Sequence, residues 1–252
     1  MSNEEVEIPP RDAPVILAIE TATRAGSVAV TRGAQILAST SGDASASHST
    51  DLIENIDRVL RAADLQLGGV DLFAVAVGPG SFTGLRIGLA TVKSLAVALK
   101  RKCAGVSTLA AVSLAAGESK RTIALLPAGR GEVFAQMFSV RAGEVTALDE
   151  AMHISPETLL SKYGSHSQLT WAGEGAYAQL EALRNEAERR NVPLAVGYLQ
   201  TFGWVVAPEN HKIAETVAQI ALRDHSAGRL VEPEHLHAAY IRPSDAEMKV
   251  HA

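Results

Sequence analysis

The sequence predicts an α/β fold, and three observations indicate it. An apolar strand, Phe73–Val77, runs into a glycine-rich turn and then into a long apolar helix. Three short apolar segments near the N-terminus are separated by turn residues, as in an antiparallel meander. A second series of strands and helices begins near Ser119, so the 252 residues form either one large domain or two smaller units.

The first unit is predicted to have the element order β-β-β-α-β-α-β. Its meander comprises strands at Val15–Glu20, Ser27–Thr31 and Gln35–Thr40, and the small, polar segment Ser41–Ser49 that follows is predicted to be mobile. This order recurs in the actin-like ATPase and sugar-kinase architecture, in which a three-stranded meander joins two parallel strands. The elements after the meander alternate between helix and strand: Thr50–Ala63, Phe73–Val77, Phe82–Lys100, Cys103–Val106 and the helix Leu109–Ala116.

The second unit is predicted to begin with a hairpin. Its strands are Thr122–Leu126 and Glu132–Val140, joined by a Pro-Ala-Gly-Arg-Gly turn. Ser155 and Pro156 are typical of a helix start, with a capping hydroxyl and a proline in the first turn. The remaining predicted elements are the strand Leu169–Ala172, an amphipathic helix Ala176–Arg190, a helix His211–His225 capped by Asn210, and an extended segment Leu236–Arg242.

The turn after the strand Phe73–Val77 has the composition of an anion-binding loop. Gly78 and Gly80 can adopt backbone angles closed to other residues, and Ser81 or Thr83 is placed to cap the following helix. The free N–H groups and the positive end of the helix dipole would then point out of the sheet edge. That arrangement suits an anion.

An acidic residue and two threonines extend this candidate site. Glu20 ends the first strand, where an actin-like enzyme usually carries an acidic residue near its metal and phosphates, and Thr21 and Thr23 could reach phosphate oxygens. Threonine and glycine are also ordinary turn residues, so a purely structural turn is the alternative. The candidate vestigial nucleotide or anion site comprises Glu20, Thr21, Thr23, Gly78, Gly80 and Ser81.

The helix Phe82–Lys100 carries two stripes. Gly80, Gly84 and Gly88 recur every four residues and leave a bare line where another backbone could approach, although glycine lowers helix stability. The adjacent stripe is apolar and consists of Leu85, Leu89, Val92, Leu95, Ala96 and Leu99. A buried core helix explains the apolar stripe. The apolar face of Thr50–Ala63 is wide for a helix with only one buried side.

Several classes of protein are disfavoured by composition. The net charge of −5 argues against a free-standing nucleic-acid-binding protein, and the single cysteine, Cys103, excludes an internal disulfide. No two histidines are four residues apart, and neither a nucleophile elbow around Ser81 nor a Walker-type loop is present. The acidic N-terminal segment has no apolar core and Lys93 interrupts the most apolar run, so we expect a cytoplasmic protein without a membrane span.

Four segments closely resemble the TsaB family, also called YeaZ: Ile19–Thr23, Val77–Gly88, Arg130–Phe134 and Tyr240–Arg242. The resemblance runs from about Val15 to Glu247. It implies a two-lobed actin-like (ASKHA, ribonuclease H-like) fold with a smaller, degenerate second lobe. It also implies a role in making N6-threonylcarbamoyladenosine in tRNAs that read codons beginning with A.

In that family the protein is the non-catalytic scaffold that activates a TsaD-like catalytic subunit, which carries a metal-binding histidine pair. The resemblance further implies a TsaE-like ATPase as partner, contact with tRNA through the complex, ATP and magnesium at the level of the complex and no cofactor of the chain's own. The isolated chain is expected to form a homodimer. Pairing uses the helices Thr50–Ala63 and Phe82–Lys100 in a four-helix bundle, with these candidate contacts: Ile53, Ile56, Leu60, Gly84, Leu85, Gly88, Leu89 and Val92.

The sequence departs from the family pattern at Pro127–Phe134, where an aspartate and an arginine are replaced, and at Ala239, where a proline is usual. A stand-alone actin-like ATPase or phosphotransferase is the main alternative, and a peptidase is a third. The predicted organisation is a disordered leader (1–14), a first lobe (15–108), a second lobe (109–207), a helix returning to the first lobe (208–231) and a tail (232–252).

Overall fold

The structure is a computed structural model that describes residues 12–42, 48–197 and 202–241. Within these residues, two β-sheets and seven α-helices alternate in layers. The elements of the first sheet and its helices are β1 Val15–Glu20, β2 Ser27–Arg32, β3 Gln35–Ser41, α1 His48–Ala62, β4 Leu72–Gly78, α2 Phe82–Leu99, β5 Cys103–Ser107 and α3 Thr108–Ala115. The later elements are β6 Ser119–Gly129, β7 Glu132–Arg141, β8 Glu144–Ala147, β9 Met152–Ile154, α4 Pro156–Tyr163, β10 Gln168–Ala172, α5 Glu174–Ala178, α6 Leu180–Arg189, β11 Leu194–Val196, β12 Gly203–Val206 and α7 Ile213–Ser226.

The first sheet has the strand order β3-β2-β1-β4-β5. β1 pairs antiparallel with β2 and β2 with β3, whereas β4 pairs parallel with β1 and with β5. All six residues of β1 are buried, which explains why this central strand is apolar throughout up to Glu20. The predicted meander joined to two parallel strands is therefore confirmed.

The second sheet repeats this arrangement. Its order is β11-β12-β10-β6-β7-β8, and the seventh strand, β9, pairs antiparallel with β7. The strands β6, β7 and β8 are antiparallel, whereas β6, β10 and β12 are parallel. It has seven strands against five in the first sheet, so the second lobe is not the smaller one that we expected. Four of its strands have only three or four residues, too short for an alternating pattern to be recognised in the sequence.

The helices form three layers around the two sheets. α1 and α2 cover one face of the first sheet, with apolar side chains from both helices in one core cluster. α3 and α7 lie between the sheets, since their buried residues pack with both β1 and β6. α4 and α6 cover the outer face of the second sheet around Trp171 and Trp204. The fold is the predicted two-lobed α/β fold.

Three predicted elements differ in detail. The predicted helix Ala176–Arg190 is divided into α5 and α6 because Gln179 leaves the helical conformation. Asn210 does not cap α7; its Oδ1 accepts a hydrogen bond from the backbone of Lys212, which is the N-cap residue. The predicted extended segment is irregular where it is described, from Leu236 to residue 241. α1 begins at His48, and residues 1–11 of the predicted leader, most of the mobile segment and Arg242 lie outside the described residues.

α2 is long and apolar enough, by length and composition alone, to cross a membrane, a test that core helices also pass. Here its buried residues pack on the first sheet, and Leu85, Val92 and Ala96 are almost fully buried. The apolar stripe of α2 is thus the core face that the periodicity indicates.

Candidate functional site

The carboxylate of Glu20 is buried at the end of β1 and is hydrogen-bonded by its own turn. One carboxylate oxygen accepts from the backbone N–H groups of Ala22 and Thr23, the latter at 2.7 Å, and the other accepts from the Thr23 hydroxyl at 2.6 Å. Burial raises the pKa of the Glu20 carboxyl, and the hydrogen bonds from Thr23 and Ala22 offset part of that rise. The hydrogen-bonding groups of Glu20 and Thr23 are therefore paired with each other within the turn.

Thr21 connects the same turn to α2. Its hydroxyl donates to the carbonyl of Gly84 at 2.8 Å, and the same oxygen occupies the space that a Cβ at Gly88 would need. A Cβ at Gly80 would lie 2.5 Å from the carbonyl oxygen of Ala22. The stripe of Gly80, Gly84 and Gly88 thus accommodates this chain's own β1–β2 turn. Our expectation that another chain uses it is corrected accordingly for Gly84 and Gly88.

The glycine loop Gly78–Ser81 caps α2 as predicted. The Ser81 hydroxyl accepts from the backbone N–H of Gly84 at 3.2 Å, and the Ser81 N–H donates to the carbonyl of Ala22 at 2.8 Å. Gly78 has a φ of +118°, and a Cβ there would lie 2.7 Å from the carbonyl oxygen of Ala239. The loop is therefore packed between the β1–β2 turn and the C-terminal segment.

That C-terminal segment is attached to the first sheet and to α2. The Ala239 N–H donates to the carbonyl of Val77 at 2.7 Å, and the ring of Tyr240 packs on Phe82 with 5.5 Å between centroids. The Arg86 guanidinium lies 3.8 Å from the centre of the Phe82 ring. Tyr240, which belongs to one of the four motifs quoted above, therefore lies beside the glycine loop. The sequence did not indicate this contact, because the two segments are far apart in the chain.

Little space is enclosed between the two sheets near Thr23. The cavity there is about 20 Å³, and Glu174 beside it accepts a hydrogen bond from the backbone N–H of Arg24 at 2.9 Å. Burial also raises the pKa of the Glu174 carboxyl. An adjoining groove of about 500 Å³ is lined by residues such as Gly117 and Lys212, but neither Glu20 nor the glycine loop lines it.

The titratable groups of this region offer neither a metal site nor a reactive thiol among the described residues. Among the described residues, no group of three or more His, Cys, Asp or Glu side chains is arranged to hold a metal ion. Cys103 is fully buried, and burial raises the pKa of its thiol to about 11, so it is a packing residue. The six residues predicted as an anion site are close together, but their polar groups are largely paired with one another.

The structure also decides which residues of α1 and α2 face outward. Five apolar candidates for partner contact are buried in this chain's own core, so the structure places them on the core side of the two helices: Ile56, Leu60, Leu85, Leu89 and Val92. Ile53 is 63% exposed and stays a candidate. Val97 on α2 is 64% exposed and was not among the predicted contacts. It lies outside the apolar stripe, so the only indication in the sequence is that a valine occupies a helix position facing away from the core.

The family model described as tRNA N6-adenosine threonylcarbamoyltransferase, TsaD, matches residues 35–238. The tRNA threonylcarbamoyladenosine biosynthesis protein TsaB of Escherichia coli is 26% identical over 239 residues, which cover 93% of this chain and 97% of that protein. The TsaB protein of Buchnera aphidicola is 32% identical over 123 residues, which span 48% of this chain and 58% of the relative's length. The solved structure of YeaZ from Pseudomonas aeruginosa is 26% identical with a TM-score of 0.72, and covers 90% of this chain and 99% of that chain.

Proposed function

The chain belongs to the TsaB/YeaZ family, and from that premise we propose that it is the non-catalytic subunit of a complex that forms N6-threonylcarbamoyladenosine in tRNA. Its pathway is tRNA threonylcarbamoyladenosine biosynthesis. In the proposed role the chain binds a TsaD-type catalytic subunit and holds it in its active form. ATP, magnesium, tRNA and a TsaE-type ATPase then act at the level of the complex.

The observation that carries this proposal is the outer face of α1 and α2. Ile53 and Val97 are large apolar side chains that project from this helix layer, each more than 60% exposed. Most large apolar side chains of the two helices are at least half-buried in the core below, so these two stand out. A contiguous exposed apolar patch marks an interaction site, and these two side chains are the large apolar groups that α1 and α2 expose among the described residues.

The kind of partner follows from the family. A model of the catalytic transferase family matches residues 35–238 of this chain, so a TsaD-type subunit and this chain share a related fold. Related folds can pair through equivalent faces around an approximate two-fold axis, as identical subunits do. The same helix layer can therefore serve a homodimer of the isolated chain and the pair with the catalytic subunit.

A non-catalytic role is supported by the state of Glu20. Its two carboxylate oxygens accept three hydrogen bonds inside the turn, so most of the lone pairs that a metal ion would use are already engaged. The cavity beside Thr23 is about 20 Å³, close to the volume of one water molecule and far below that of a nucleotide. The stand-alone ATPase is thus the weaker hypothesis, and no specific observation favours a peptidase.

The experiment is co-purification of this chain with the TsaD-type protein from the same genome, followed by reconstitution with a TsaE-type protein, ATP, threonine, bicarbonate and unmodified tRNA. We expect a stable pair whose tRNA modification depends on this chain. Omission of each protein in turn is the control. Full modification without this chain, or no pair under any nucleotide condition, would overturn the proposal.

A further inference from the structure

A separate groove lies at the far end of the second sheet. Its volume is about 680 Å³, and the residues that begin β6, β10 and β12 line it together with the end of β7. Because β6, β10 and β12 are parallel, these are their amino ends. The turn that contacts Glu174 lies at the carboxyl end of β10, so the groove is distinct from the region between the sheets.

The groove is basic in a protein that is acidic overall. Lys120, Arg121 and Arg141 line it and are exposed, and among the described residues none of the three has an ion-pair partner. Glu118 is the one acidic residue among the described lining residues, and its carboxylate accepts a hydrogen bond from the Gly143 N–H at 3.2 Å. Three positive charges against one negative charge contrast with the net charge of −5 for the whole chain.

An aromatic ring and neutral hydrogen-bonding groups complete the lining. Phe202 is 62% exposed and lies at the edge of the groove just before β12. The hydroxyl of Thr170 donates to that of Ser119 at 3.1 Å, and Ser139 adds a third hydroxyl. An exposed phenylalanine has no core to fill, whereas a nucleobase can stack on its face.

Phosphate-binding cations beside an aromatic platform are the combination that binds single-stranded nucleic acid. We propose that this groove binds a single-stranded RNA segment, with Lys120, Arg121 and Arg141 contacting phosphates and Phe202 stacking on one base. The volume of about 680 Å³ lies within the range of about 300–1,000 Å³ typical of ligand sites, so the groove has room for a base and its flanking phosphates. The inference goes beyond the proposed scaffold role, because it gives this chain an RNA contact of its own.

The test uses the full chain alone and a fluorescein-labelled, unstructured RNA of about 12 nucleotides, with binding measured by fluorescence anisotropy. The double variant Lys120→Ala/Arg141→Ala removes two phosphate contacts. We expect it to weaken binding by about tenfold or more at low salt and to lower the salt slope by about 1.4. Phe202→Ala is expected to weaken binding by about tenfold while leaving the slope unchanged.

The matched control is Lys100→Ala/Arg184→Ala, which removes the same charge from exposed positions outside the groove that also have no ion-pair partner among the described residues. Equal loss in both double variants would mean that only net charge matters and would overturn the site, as would no RNA binding at about 50 mM salt. AMP and inorganic phosphate are added as competitors. Displacement of RNA by equimolar AMP would identify a mononucleotide site and overturn the RNA assignment. Because no partner protein is present, failure here is distinct from failure of the co-purification.

Discussion

The hydroxyl of Thr21 donates a hydrogen bond of 2.8 Å to the carbonyl of Gly84, joining the β1–β2 turn to the first turns of α2. The same oxygen fills the space beside the bare backbone of Gly88 one helical turn further on. The glycine spacing of α2 is therefore explained by a contact inside the chain. A glycine that admits a neighbour's side chain so closely cannot be enlarged without moving that neighbour.

Gly88→Ala is expected to lower the free energy of unfolding by about 1–2 kcal/mol, because the overlap of the new methyl group with Thr21 Oγ1 in a packed site outweighs the gain of about 1 kcal/mol in helix propensity. Urea unfolding followed by circular dichroism measures this. Gly68→Ala is the matched control, since nothing lies within 4 Å of a Cβ at Gly68.

The double variant Thr21→Ala/Gly88→Ala tests the cause. Removing the Thr21 hydroxyl opens the space, and the next nearest atoms of Val75 and Thr21 lie 3.4 and 3.6 Å from the new Cβ. We expect the two changes together to cost less than the sum of their separate effects. Strict additivity would show that the overlap is not the reason for the glycine.

Glu20→Gln is expected to keep the turn, because the amide oxygen can accept both backbone N–H bonds and the amide NH₂ can donate to the Thr23 hydroxyl. The raised pKa of Glu20 means that the folded state holds its proton more tightly than the unfolded state does. Its stabilising contribution is fully present below the ordinary value of 4.5 and is lost as the pH rises through the raised value. Lowering the pH from about 8 to about 5 should therefore stabilise the wild type relative to the Glu20→Gln variant.

Unfolding free energies of the two proteins across this pH range decide the matter, and a constant difference would contradict the burial of an ionisable carboxyl. Glu20→Ala is the comparison. It leaves the N–H groups of Ala22 and Thr23 without their acceptor, and an unsatisfied buried donor costs about 1–3 kcal/mol.

Ile53→Asp and Val97→Asp should leave folding intact, because exposed positions typically tolerate substitution within about 0.5 kcal/mol. If the helix layer is the docking face, each should weaken binding of a TsaD-type subunit by about tenfold or more, measured by titration calorimetry. Leu148→Asp is the control, since Leu148 is 48% exposed near the second sheet.

Binding unchanged in both Ile53 and Val97 variants would place the interface elsewhere. Lysine at Leu60 or Leu89 would be a poor test, because both side chains are buried and a buried ammonium group would unfold the protein.

The local sequence predicted the elements with strong patterns. The apolar run of β1, the glycine loop with its capping Ser81 and the periodic stripe of α2 were recognisable because each has a backbone or periodicity requirement within a few residues. The motifs also indicated the family. Short strands such as β11 and β12 were missed, since three or four residues pair only where a neighbouring strand is already in place.

The tertiary structure decided which side chains form hydrogen bonds with one another and which stay exposed. Glu20 and Thr21 were recognised as a group, but the sequence could not say whether a ligand or the chain itself satisfies them; the approach of α2 to the turn decided that. The same holds for Val97 and for the basic groove, whose residues Lys120, Arg141 and Phe202 are far apart in the chain. The sequence by itself determined the longer helices and strands and indicated the family through its motifs. The packing of the two sheets and their helix layers determined which polar groups are paired and which surfaces are free, because these depend on contacts between distant residues.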